Sequence, residues 1–89
     1  MKIHAVIILY DFSINEVENN FKNLLPQVDN LIFVDNSNEF LKRKPLDSLK
    51  TEYIFNGSNL GIAKAQNIGI KRALDKEADY IIFFDQDSY

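Results

Sequence analysis

The chain has 89 residues, 46% of them hydrophobic and 12% aromatic, enough for one modest core, so residues 1–89 are expected to form a single unit. Its formal charge of −3, with no face rich in Lys and Arg, argues against nucleic acid as a partner, and the lack of cysteine removes disulfides and thiolate metal sites. The apolar run Ile3 to Tyr10 is too short to span a bilayer and has no small-residue cleavage site; neither a transmembrane segment nor a signal peptide is indicated, and the cytoplasm is the default compartment.

In chain order, Ile3 to Tyr10 is almost continuously apolar, which predicts a strand covered on both faces. Ser13 and Glu16 then form an S-x-x-E capping box, with Phe12 and Val17 placed for a hydrophobic staple, so a helix is predicted from Ile14. Val17, Phe21, Leu24 and Leu25 make one apolar stripe along it, and Pro26 disfavours helical geometry at Leu25, where the helix should end. Leu31 to Val34 reads as the second strand. Asn36 to Lys50 mixes Asn, Ser, charges and Pro45, which predicts a loop or at most an irregular short helix, with Lys42-Arg43-Lys44 solvated. Glu52 to Phe55 is a weaker third strand. From about Gly61 to Lys76, Ile62, Ala65, Ile68 or Gly69, and Ala73 recur at helical spacing around a small-residue face that would let the helix lie close to a sheet. Tyr80 to Phe84 closes the set as the fourth strand.

Buried apolar strands separated by crossover segments predict an α/β fold, a Rossmann-like, doubly wound, mostly parallel sheet with strand order 3-2-1-4. In such a sheet ligands bind outside the carboxyl ends of the strands, where the strand order reverses, here between the first and fourth. Polar residues stand at all four ends: Tyr10 and Asp11; Asp35, Asn36 and Ser37; Asn56, Gly57, Ser58 and Asn59; Asp85, Gln86, Asp87 and Ser88. Each alone is ordinary turn chemistry, but carboxylates at three of the four ends suggest a site.

The Asp35 carboxylate could accept a hydrogen bond from the imide N3–H of uracil or thymine and would meet only an acceptor on cytosine; the competing role is an Asx-turn closing the second strand. Tyr10 could lay its ring on the same base or be a core aromatic. Asp85 and Asp87 lie roughly 6.5 to 7 Å apart along an extended backbone, a spacing that suits one hydrated divalent cation bound to a diphosphate. Gly61 would admit close backbone approach, the helix beginning there offers free N–H groups to an anion, and Asn67 can hydrogen-bond from the helix. Lys64 is equally a solvated surface charge, and both Gly61 and Gly69 could serve packing alone. His4 reads as structural or exposed, and no second histidine exists to complete a zinc site.

Four segments in order carry a resemblance: Ala5-Val6-Ile7-Ile8-Leu9-Tyr10-Asp11, Phe33-Val34-Asp35-Asn36-Ser37, the pattern Asn59-x-Gly61-x-Ala63-x-Ala65-x-Asn67-x-Gly69, and Asp85-Gln86-Asp87. Over essentially the whole chain they resemble the N-terminal nucleotide-sugar-binding half of a family 2 glycosyltransferase with the GT-A fold. Asp-Gln-Asp-Ser after an apolar strand, with Gly-Ile-Ala before the helix, is similar to the bacterial rhamnosyltransferase branch, which uses dTDP-L-rhamnose. The resemblance implies an inverting sugar transfer from a dTDP- or UDP-sugar to a saccharide acceptor. It places Tyr10 and Asp35 at the base, Asp85 near the ribose, and Asp87 on a Mn or Mg ion bridging the diphosphate, with Asp11, Asn59, Gly61, Lys64, Asn67 and Gln86 completing the nucleotide-sugar site. Gln66 stands where many relatives carry Arg. The acceptor half and the catalytic base are expected downstream of residue 89, so this stretch alone is expected to be inactive, a truncated GT-A fold whose fourth strand exposes an edge prone to self-association.

Two alternatives compete with that expectation. One is a non-catalytic nucleotide-binding or scaffold module in which the polar strand ends are only turns. The other is a Mg-dependent phosphoryl-transfer domain, whose D-x-D would sit on an early strand with much sequence after it. Peripheral association with the inner face of a membrane is an alternative to a freely cytoplasmic location.

Overall fold

The computed structural model describes residues 1–39, 45–46 and 48–86. The reading of Lys42-Arg43-Lys44 as solvated, and those of Asp87 and Ser88, lie outside the described residues. The elements run β1 (Ile3–Leu9), α1 (Ile14–Phe21), a 3-10 turn (Leu25–Gln27), β2 (Asn30–Asp35), β3 (Thr51–Phe55), α2 (Ile62–Asp75) and β4 (Tyr80–Asp85). All pairings are parallel and the order is β3-β2-β1-β4, the arrangement expected of a truncated GT-A sheet. In register, Ile8 lies between Val34 on β2 and Asp85 on β4, so the ends of these three strands reach one level.

Strand alternation divides the core in two. Ala5, Ile7, Leu9, Leu31 and Phe33 face α1, where Val17 and Phe21 cover them. Phe21 makes edge contacts with Phe33 and with Phe84, at ring separations of 6.3 and 6.1 Å, joining α1 to β2 and β4. Val6, Ile32 and Val34 face the opposite way, onto Ala65 and Ala73 of α2. Between those alanines Gly69 lies so close to the sheet that a Cβ there would stand 2.4 Å from Val6 Cγ1, which explains the small-residue face.

Several local expectations are corrected. Ser13 is the N-cap of α1, but its side chain makes no capping bond; the residue is exposed, and water can serve the first-turn N–H groups. The staple partner Phe12 does pack on the cluster containing Val17. Helix α1 ends at Phe21 rather than Leu25, because the chain tightens ahead of Pro26: Leu24 N–H donates to Phe21 O and Gln27 N–H to Leu24 O, each at 2.9 Å. Within Asn36 to Lys50 the described residues contain no helix. The fourth strand is not covered on both faces as its apolarity suggested, since Tyr80, Ile82 and Phe83 are exposed; α2 lies over β1 and β2 and leaves the edge strand open. Among the described residues no helix is long and apolar enough to cross a membrane.

Candidate functional site

A cleft of about 680 Å³ opens at the carboxyl ends of β1 and β4, where the strand order reverses. Its walls include Tyr10, Asn36, Asn59, Gln66, Asp85 and Gln86. The volume lies in the range that small-molecule sites occupy.

The geometry of this mouth is set by bonds between residues far apart in sequence. Strand β1 ends at Leu9, one residue earlier than the apolar run, because the Tyr10 N–H leaves the ladder and donates to Gln86 Oε1 at 2.8 Å. Asp11 then takes a left-handed conformation (φ 48°), and its N–H donates to Ser37 Oγ at 2.8 Å. Gln86 is also held from α1, its carbonyl accepting from Asn20 Nδ2 at 3.1 Å. The tip of β1 is thereby tied to the ends of β2 and β4, and the Tyr10 side chain remains 48% exposed at the cleft.

Beneath the cleft lies Asn36, which is 2% exposed. Its N–H donates to Leu9 O at 2.8 Å, its Oδ1 accepts from Asn56 Nδ2 at 2.7 Å, and its Nδ2 donates to Gly61 O and Asn59 Oδ1 at 3.3 and 3.4 Å. Gly61, the N-cap of α2, has φ 86° and ψ 160°, a backbone region essentially restricted to glycine. No atom lies within 4 Å of where its Cβ would be, so torsion and not crowding demands glycine there, the reverse of Gly69.

Of the residues expected at the site, the structure brings Tyr10, Asn59, Asp85 and Gln86 to the cleft walls and leaves Asp11, Asp35, Gly61, Lys64 and Asn67 out of its lining. Asp35 shares the α1-facing side with Leu31 and Phe33 and is 0% exposed. Its Oδ1 accepts from the Ser37 N–H at 2.8 Å, an Asx-turn, and its Oδ2 accepts from the Tyr53 hydroxyl. Helical spacing explains Lys64 and Asn67: Ala65, Gly69 and Ala73 face the sheet, Ile62 and Gln66 face the cleft, and Lys64 and Asn67 fall on the exposed side. Ile62, expected on the buried face, is 65% exposed. Asn36 is a cleft residue that the sequence did not single out as a ligand contact, its signal being its place beside Asp35 at a strand end; Gln66, noted where many relatives carry Arg, lines the cleft as well.

Asp85 closes β4 at the cleft as an exposed carboxylate, an oxygen donor of the kind hard divalent cations take. Among the described residues no group of three His, Cys, Asp or Glu side chains is placed to hold a metal ion, and Asp87 lies outside them.

At the opposite end of the sheet a polar cluster clamps α2. Glu52 on β3 accepts from Asn30 Nδ2 and Arg72 Nε at 2.6 Å each and pairs with Lys76 at 3.2 Å. Burial pushes the Glu52 carboxyl up, but the bonds from Asn30, Arg72 and Lys76 outweigh it and hold the group below the ordinary value. His4, 2% exposed, has no partner for Nδ1 among the described residues; burial lowers its pKa, with Asp29 opposing and Lys2 assisting. It is a structural core histidine.

Comparison with known proteins gives a family for this arrangement. The family described as "Glycosyl transferase family 2" matches residues 5–89. The chain is similar to the dTDP-rhamnosyl transferase RfbF of Shigella flexneri, 46% identical over 87 residues, which cover 97% of this chain and 29% of that protein. No solved structure gives a match. The order of motifs, the β3-β2-β1-β4 sheet and the family match from Ala5 to Tyr89 agree, and the chain belongs to glycosyl transferase family 2.

Proposed function

We propose that this chain is the donor-nucleotide part of an inverting glycosyltransferase that transfers a sugar, L-rhamnose in the narrower reading, from dTDP- or UDP-sugar to a saccharide acceptor. The observation that carries the proposal is the cleft at the carboxyl ends of β1 and β4, with an aromatic ring, Tyr10, and a carboxylate, Asp85, both in its lining. The name of the Shigella flexneri relative favours dTDP and rhamnose over other donors. The chain spans 29% of that relative's length, and the acceptor and the group that deprotonates its hydroxyl are assigned to sequence outside these residues.

Each residue's part follows from its chemistry. Tyr10 lays its exposed ring along the base. Asp85 accepts from the sugar of the nucleotide, from the 3′-OH in dTDP and from the 2′- or 3′-OH in UDP. Asp35 reads the base only once its side chain leaves the bonds from Ser37 and Tyr53 that hold it buried on the α1 side. Asn59 and Gln86 border the nucleotide, while Asp11, Gly61, Lys64 and Asn67 shape or flank its entrance. The all-oxygen donor set of Asp85 and Asp87, completed by diphosphate oxygens and water, fits Mn or Mg. When bound, such an ion neutralises charge on the leaving diphosphate. Peripheral contact with the inner membrane face and self-association through β4 belong to the same proposal.

Titration calorimetry of the folded chain with dTDP and Mn tests this reading. Saturable binding that Asp85→Ala weakens is expected. A folded sample that takes up no heat from dTDP or UDP would rule the donor role out and favour a scaffold module.

A further inference from the structure

The side-chain amide of Asn59 has a fixed sense. Its Oδ1 accepts from the Gly61 N–H at 2.9 Å, and a backbone N–H can bond only to the oxygen of that amide. The same oxygen accepts from Asn36 Nδ2 at 3.4 Å, while Asn36 Nδ2 also reaches Gly61 O at 3.3 Å, so one buried NH2 group serves two acceptors on the loop before α2. Asn36 cannot turn over to offer its oxygen there, because that oxygen is held by Asn56 Nδ2 at 2.7 Å and the residue is 2% exposed. Both contacts are on the oxygen of Asn59, neither uses its NH2 group, and the residue is exposed and lines the cleft.

We infer that Asn36 is a positioning residue: by bonding to Gly61 O and Asn59 Oδ1 it steadies the loop in which the Gly61 N–H fixes the Asn59 amide, so that a hydrogen-bond donor, and not an acceptor, faces the nucleotide. The inference rests on the donor-binding proposal and adds the chemistry of one wall. A donor at this place suits the ligand's acceptor atoms, which are phosphate and ribose oxygens, and leaves no lone pair facing an anion. Asn36 acts through Asn59, and the two residues therefore form one energetic unit.

A double-mutant cycle on the 89-residue chain, read by calorimetry with dTDP, tests the unit. Asn59→Ala and Asn36→Ala are each expected to weaken dTDP binding about tenfold, the worth of one hydrogen bond to a charged group, and the double variant is expected to be no weaker than Asn59→Ala alone. Asn36→Ala removes the donor toward the loop without placing a charge beside the cleft, and water can serve the Asn56 amide that it frees. Two losses that simply multiply in the double variant would overturn the inference, as would unchanged affinity in folded Asn59→Ala. The Asn59 side-chain NH2 resonances of the wild-type chain should also shift on adding dTDP; binding without that shift would overturn it even if Asn36→Ala fails to fold. A wild-type chain that binds no dTDP removes the donor reading, and this role with it.

Discussion

The Tyr10 N–H donates to Gln86 Oε1 at 2.8 Å, across 76 residues of chain, and this bond decides where β1 stops and the cleft begins. Gln86 is the middle residue of the D-x-D segment, so the residue between the two acids fastens the fourth strand to the first. Gln86→Ala should free the Tyr10–Asp11 turn and lower dTDP affinity more than it lowers stability, with losses of about 1 kcal/mol expected for the hydrogen bond itself. Urea melts and calorimetry on the same sample separate the two; equal affinity would show that the bond does not shape the site.

Gly69 tests the packing of α2. Adding one methyl at a point 2.4 Å from Val6 Cγ1 forces the helix outward, and Gly69→Ala should destabilise by about 1–3 kcal/mol despite the better helix propensity of alanine. Val6→Ala in the same chain should recover part of the loss, because it removes the atoms that clash. Urea unfolding of the single and double variants measures both.

Phe21 is the hinge of the other half of the core. It is buried and touches Phe33 and Phe84, so Phe21→Ala should cost about 3–5 kcal/mol, enough to unfold a domain of this size. Loss of the cooperative thermal transition is the expected outcome, and a transition moved by only a few degrees would contradict it.

The Glu52 cluster and His4 set the acid limit of stability. The Glu52 carboxyl sits below its ordinary 4.5, so its contribution is fully present above that pH and is lost as pH falls through the lower folded value. Glu52→Gln should remove about 1–2 kcal/mol at pH 7. His4 has a folded pKa below its ordinary 6.5, so the unfolded chain takes up the proton first, and stability declines as pH falls below 6.5. His4→Leu should flatten the stability profile between pH 7 and 5, while Glu52→Gln should lower stability by a constant amount above pH 4.5 and alter the slope only below it. Chemical melts at stepped pH check both slopes.

Among the described residues β4 is an edge strand with one side of its backbone unpaired, and it carries exposed Tyr80, Ile82 and Phe83. Self-association that rises with concentration is expected in light scattering, and Ile82→Lys should reduce it by placing a charge on the exposed edge. A wild-type chain that stays monomeric at high concentration would remove this expectation.

The sequence by itself determined the four strands, the two helices, their order and the gathering of polar residues at the strand ends, because apolar periodicity and short crossovers are local properties. Even Gly61 and Gly69 were legible as special, though not that one answers a backbone torsion and the other a contact with Val6. Only the tertiary structure decided which way each strand-end side chain leaves the sheet. Asp35 ends β2 and Asn36 follows it, yet Asp35 turns to Tyr53 on the α1 side and Asn36 to Asn59 on the cleft side, because successive residues of extended chain alternate faces and the covering helices fix which face is which. The bonds that hold the mouth, Tyr10 to Gln86 and Asn36 to Gly61, join segments 76 and 25 residues apart, and no local pattern encodes a partner at that distance.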